Sequence, residues 1–130
     1  MSQPNFIANG TINPSTFVVM DTSVNKAVDA ASATTQFIIG VSQEFSEAAP
    51  IPGASSVAAN AGDPIKVYCI GDTCLLNATT AGWTAGDRLT ANASGFGVTA
   101  SGSNYYGAIA LTTMTGAGLG QVQVLLGKNP

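Results

Sequence analysis

Asp87-Arg88-Leu89-Thr90, Phe96-Gly97-Val98-Thr99-Ala100, Tyr105-Tyr106-Gly107-Ala108-Ile109-Ala110-Leu111 and Gln121-Val122-Gln123-Val124-Leu125-Leu126 follow one another between Gly86 and Leu126. Each run alternates apolar and polar residues or carries β-branched and aromatic side chains, and each is bounded by Gly, Asn, Ser or Thr, which are strand and turn signals. The stretch therefore reads as four strands joined by polar turns. An earlier stretch repeats the plan: Phe17-Val18-Val19-Met20, Lys26-Ala27-Val28-Asp29-Ala30, Phe37-Ile38-Ile39-Gly40-Val41-Ser42 and Ile65-Lys66-Val67-Tyr68-Cys69. Val28 corresponds to Val98, Gly40 to Gly107 and Lys66-Val67 to Gln123-Val124. The loops differ in length while the order of strands stays. The expectation is an all-β, compact, single-domain fold, a β-barrel or β-tulip built from two similar strand units, roughly 16–69 and 86–126, closing over a shared interior within one domain spanning 15–130.

Composition narrows what such a fold can do. The chain has 130 residues, enough for one domain to bury about two-thirds of its extended-chain surface. Hydrophobic residues make up 45% and charged residues only 8%, so the surface is sparsely ionised and suited to protein contact. The net charge is −3, and the four cations, Lys26, Lys66, Arg88 and Lys128, are scattered along the sequence. Binding a phosphate backbone needs clustered cations, so no nucleic-acid partner is expected. No apolar run reaches the roughly 18 to 20 residues of a spanning helix, and Met1 to Gly10 lacks the pattern of an export signal. The expectation is a soluble chain made in a cytosol, without membrane or small-molecule partner.

Residues 1–14 hold Phe6, Ile7 and Ile12 among Gln, Asn, Gly and two prolines. Two readings stand: an extended N-terminal arm ordered by a partner, or an ordinary first strand laid on the sheet. As an arm, Gln3, Pro4, Asn5, Phe6 and Ile7 are candidate contact residues, because main-chain pairing with a foreign sheet edge asks little of side chains. Between the two units, Gln43 to Asp63 contains Pro50-Ile51-Pro52-Gly53, and the two prolines favour a projecting loop over a short helix. Pro50, Ile51 and Pro52 are the candidate contacts there.

Ile65 to Cys69 and Cys74 to Asn77 flank Ile70-Gly71-Asp72-Thr73, which reads as a tight hairpin with glycine leading the turn. In that register Cys69 lies opposite Cys74 and a cross-strand disulfide is geometrically available. A reducing cytosol favours two free thiols. Trp83, the single tryptophan, is expected to plug one end of the core. Tyr105 and Tyr106, adjacent on a strand, point to opposite faces, and the outward ring is an interface candidate.

The residues offer little chemistry. The sequence contains no histidine, the commonest general base and metal ligand, and nothing is placed to activate a serine. Cys69 and Cys74 alone do not make a zinc site. The carboxylates fall mostly at turns, where Asp satisfies backbone donors. Gly116-Ala117-Gly118-Leu119-Gly120 precedes a strand instead of opening a helix, so it is a connector and not a phosphate loop. The triplets at Asn9, Asn77 and Asn92 match a glycosylation pattern that a chain rich in Asn, Ser and Thr yields by chance. No enzyme, metal or cofactor is expected.

Ala85-Gly86-Asp87-Arg88-Leu89, Gly97-Val98-Thr99-Ala100, Tyr106-Gly107-Ala108-Ile109-Ala110-Leu111 and Val122-Gln123-Val124-Leu125-Leu126 together resemble the C-terminal half of small head-decoration, or cement, proteins of tailed bacteriophages. The resemblance covers about the last 65 residues and extends to the first half by strand order alone. It implies a structural virion protein with a compact barrel-like domain, often a homotrimer. Such a protein binds the major capsid protein on the outer surface of an icosahedral head and reinforces the capsid after assembly in the host cytoplasm. The family offers no catalytic residues to carry over. A carbohydrate-binding β-domain of a fibre or adhesin is the alternative, with Trp83, Tyr105 and Tyr106 as its candidate aromatics.

Overall fold

A computed structural model describes residues 5–21, 23, 26–33, 36–43, 61–102 and 104–128. These residues are all-β. The first five strands are β1 (Asn5–Ala8), β2 (Phe17–Met20), β3 (Ala27–Ala30), β4 (Ile38–Ser42) and β5 (Pro64–Tyr68). The next five are β6 (Thr73–Ala78), β7 (Arg88–Ala91), β8 (Gly97–Thr99), β9 (Tyr105–Ala110) and β10 (Gly118–Lys128). The first five close into a barrel in the order β1-β3-β2-β4-β5, and the second five into another in the order β10-β6-β8-β7-β9. In each barrel the first strand runs parallel to the third and every other pairing is antiparallel. The barrels are thus two copies of one topology, β1 matching β6 and so on to β10.

The two repeated units of the sequence are correct in strand order and in content, but they do not share one interior. Each unit closes on itself by means of a strand the repeat did not include. In the second copy this strand is β6. In the first it is β1, so the stretch anticipated as an extended arm contributes from Asn5 onward a strand of the barrel, between β3 and β5. Ala8 and Ile12 are fully buried there, and Phe6 packs against the same interior. The physical reason is edge closure: without β1 the first sheet would leave unpaired backbone groups on β3 and β5.

The anticipated hairpin between Ile65–Cys69 and Cys74–Asn77 is absent. The turn forms, with Asp72 N–H donating to Cys69 O at 3.0 Å, but the strands on either side enter different barrels. β5 is flanked by β1 and β4, and β6 by β10 and β8, so neither has an edge left for the other. Cys74 pairs with Val122 instead, and both cysteines are free thiols.

Inside the first barrel lie Ala8, Ile12, Val18, Val28, Ile65 and Val67. The second is filled by Cys74, Leu76 and Ala78 from alternate positions of β6, with Leu89, Ala91, Ala108, Ala110, Val122 and Val124. Small side chains suffice there because Trp83 occupies the space. Its indole lies over Gly120, where a Cβ would come within 2.5 Å of the ring, and its backbone bridges to Met114. The expected plug is therefore present.

The barrels meet along a seam. Phe17, Val19, Ile38 and Val41 point out of the first barrel and join the apolar cluster of the second. Strict alternation would not place Ile38 and Val41 on one side, but β4 carries an extra residue opposite β2: Val18 pairs with Gly40 and Val19 with Ile38, leaving Ile39 between them. That bulge turns Ile38 and Val41 to the seam while Ile39 packs inward. Burying four such side chains is worth roughly 1.5 to 3 kcal/mol each before entropy is counted. Polar bonds cross the same boundary. Phe17 N–H donates to Gly95 O at 2.9 Å, and Asn77 donates from its backbone to Ser15 O at 2.9 Å and from Nδ2 to Pro14 O at 3.0 Å.

Candidate interaction surface

Of the contact residues expected from sequence, Gln3, Pro4, Pro50, Ile51 and Pro52 lie outside the described residues. Asn5, Phe6 and Ile7 are in β1, and their backbone is committed to Lys66, Ile65 and Pro64 of β5. Phe6 packs inward, whereas Ile7 points outward and is 45% exposed.

A different group is gathered at the seam. Phe37, just before β4, is the most exposed of the large apolar side chains among the described residues, at 57%. Its ring meets that of Tyr105, at the start of β9, edge to face with centroids 5.2 Å apart. Lys128, at the end of β10, holds its Nζ 5.6 Å from the Tyr105 centroid. The Arg88 guanidinium lies 5.4 Å from the centroid of Tyr106. The two tyrosines thus face different neighbours, as their adjacency on a strand requires. A register shift in β10 between Val124 and Gly127 brings Gly127 opposite Tyr106, and a Cβ there would come within 2.6 Å of the ring carbon Cζ. Glycine therefore lets the tyrosine lie down on the strand. Sequence reading named the two tyrosines but not Phe37, Arg88 and Lys128 as their ring partners. Phe37 belongs to the first barrel and Tyr105 and Lys128 to the second, so only the docking of one barrel on the other brings Phe37 to them.

The alternative aromatic site is less open. A recess of about 440 Å³ is lined by Ala81, Gly82, Trp83, Thr84, Asp87, Thr99 and Thr113, among others. Trp83 is only 4% exposed and its Nε1 donates to Thr112 O at 2.7 Å, so the indole offers no free face for a sugar ring. Asp87 Oδ2 accepts from Thr84 N–H at 2.9 Å and from the Thr99 hydroxyl at 3.2 Å, which is turn chemistry.

Two further groups carry perturbed titration. Asp29 has its carboxyl pushed above the ordinary value of 3.8, first by burial and then by hydrogen bonding to and the charge of Asp21, with Asn9 partly opposing. Asn9 Nδ2 itself donates to Asp21 Oδ2 at 2.7 Å. The Cys69 thiol is pushed above 9.0 by burial and by the nearby Asp72 carboxylate. A raised thiol pKa disfavours nucleophilic chemistry. Among the described residues no group of three or more potential ligands is placed to hold a metal ion.

No protein-family model matches the chain, and no curated protein does. Among solved structures it is similar to the head fibre gp8.5 N base of bacteriophage phi29, with a TM-score of 0.62 and 13% identity, over 99% of this chain and 98% of that one. At that identity the likeness establishes the fold.

Proposed function

We propose that the chain is a structural virion protein, a two-barrel module seated on the outer surface of a bacteriophage head. The observation that supports this most directly is the end-to-end likeness to the base of a head fibre, at a length that leaves almost no part of either chain unmatched. The reading from residues points the same way: only 8% of residues are charged, which suits a surface that meets protein. In this proposal the partner is the major capsid protein, the chain is not an enzyme, and it works by non-covalent contact between capsomers. A homotrimer engaging equivalent sites gains avidity through effective concentration, so each contact can be weak.

Two finer roles fit this module. As a decoration protein it reinforces the shell; as a base, by analogy with the phi29 head fibre gp8.5 N base, it is the part on which a fibre is built. A sugar-binding role is weaker, since its principal aromatic, Trp83, is buried. The test is to add the purified chain to heads of the encoding phage assembled without it and to measure copies bound per head and the melting temperature of the shell. Saturable binding is expected. A raised shell melting temperature supports decoration, an unchanged one the base role. Absence of co-sedimentation at tens of micromolar would remove the head from the proposal.

A further inference from the structure

We propose that Asn9 and Gly10 form a self-modification site, at which the Gly10 backbone nitrogen displaces the Asn9 side-chain amide as ammonia and water leaves a carboxyl group in its place, loosening β1. The step balances without a catalyst. A bond forms from Gly10 N to Asn9 Cγ, the Cγ–Nδ2 bond breaks, and the departing nitrogen takes the proton that Gly10 N gives up. Water then opens the cyclic imide at one carbonyl or the other, giving aspartate or isoaspartate. No partner or enzyme is needed, so the conversion proceeds on a head or off it.

Three observations carry it. Asn9-Gly10 is the one Asn-Gly step in the sequence, and it lies just beyond β1 with Asn9 exposed. Glycine leaves the attacking nitrogen unshielded, and among the described residues nothing accepts a hydrogen bond from Gly10 N–H. The second is that the fold does not require this glycine. Its φ lies outside the left-handed region, unlike those of Gly62, Gly86 and Gly102, and a Cβ built on it would meet nothing within 4 Å. The third is what surrounds the amide. Asn9 Nδ2 donates to Asp21 Oδ2 at 2.7 Å, an exposed bond that water can replace, so the amide is oriented without being locked. Ser23 donates to Asp21 Oδ1 from N–H and from Oγ, each at 2.7 Å, and Asp29 is hydrogen-bonded to both Asp21 and Asn9. Conversion therefore replaces a donor by an acceptor where two carboxyl groups already meet, and like charges so placed repel. It does so where Asn9 N–H donates to Val28 O at 2.9 Å and Gly62 N–H to Ala8 O at 2.7 Å, so the repulsion falls on the bonds that hold the end of β1.

The experiment has two arms. In the first, the purified full chain is held at neutral pH and physiological temperature, and its peptides are followed by mass spectrometry for conversion of each asparagine. Conversion at Asn9 is expected to outpace that at Asn77 and Asn92, each followed by alanine, by about tenfold or more, the factor that a barrier lower by about 1.4 kcal/mol gives. Gly10→Ala, which the open space around Gly10 accommodates, should keep its melting temperature and lose that excess. Equal rates at these asparagines, or an excess that survives Gly10→Ala, overturns the proposal. In the second arm, Asn9→Asp reproduces the charge of the product. Its melting temperature is expected to fall below that of the unaltered chain, and adding Asp21→Asn, which exchanges donor and acceptor, should regain most of the loss. A melting temperature for Asn9→Asp equal to that of the unaltered chain, or no recovery in the double variant, overturns the loosening of β1.

Discussion

Replacing Gly107 by alanine should push the two barrels apart. An added Cβ would lie 2.6 Å from Ile38 Cγ2, 2.8 Å from Phe17 Cε1 and 3.1 Å from Ile38 Cβ, all on buried side chains of the other barrel. Contacts that short must be relieved by movement, and overpacking of this kind costs about 1 to 3 kcal/mol. Ile38→Ala alone removes a side chain that is 1% exposed and should cost about 2 to 5 kcal/mol, through lost burial and the cavity left behind. In the double variant the new methyl enters the space that Ile38 Cγ2 vacates, so the combined loss should fall short of the sum by about 1 to 2 kcal/mol. The measurement is urea unfolding followed by the fluorescence of the single tryptophan and by far-ultraviolet dichroism. A shift in melting temperature of about 3 to 5 °C per kcal/mol serves as a check. Additivity within about 0.5 kcal/mol would refute the reasoning, because it would mean that Gly107 and Ile38 do not meet across a seam.

Removing residues 2–10 should destabilise the first barrel instead of merely trimming an arm, because it deletes β1 and exposes the edges of β3 and β5; a cooperative unfolding midpoint equal to that of the full chain would contradict this. With a thiol reagent at pH 7 to 8, Cys69 should react more slowly than free cysteine, Asp72→Asn should speed it, and Cys74 should react only on unfolding; equal rates for both thiols in the folded chain would count against the assignment. Asp29 has a folded-state pKa above its unfolded value, so the stability it lends is full below pH 3.8 and is lost as pH rises through the raised value. Asp29→Asn should therefore flatten the decline in melting temperature above pH 4, and an unchanged profile would show that Asp29 does not hold its proton as described.

How much was legible follows from the range over which each signal acts. Period-two alternation is local, so Phe17–Met20, Ile38–Ser42, Tyr105–Ala110 and the core of β10 were readable one by one, as was the repeat of their order. Asp87 and Asn92 announce their turns for the same reason: the side chain bonds backbone only a few residues away, as Asn92 Oδ1 does with the N–H groups of Ser94 and Phe96. β1 was ambiguous, since four residues among prolines and glycines carry no pattern of their own and gain order only from both neighbours.

The amino-acid sequence by itself determined an all-β chain with two matching sets of strands, an indole for a plug and a surface poor in charge. Tertiary structure alone decided that each set closes separately, that Cys69 and Cys74 part company, and that a bulge at Ile39 turns Ile38 and Val41 toward a second barrel. It alone decided, too, that Phe37 meets Tyr105 beside Lys128. Local propensities fix which residues lie extended and which face is apolar, but which edges pair and which faces meet depend on contacts between residues tens of positions apart. Those contacts are chosen by closing edges and burying outward apolar side chains, conditions that no short window of residues contains.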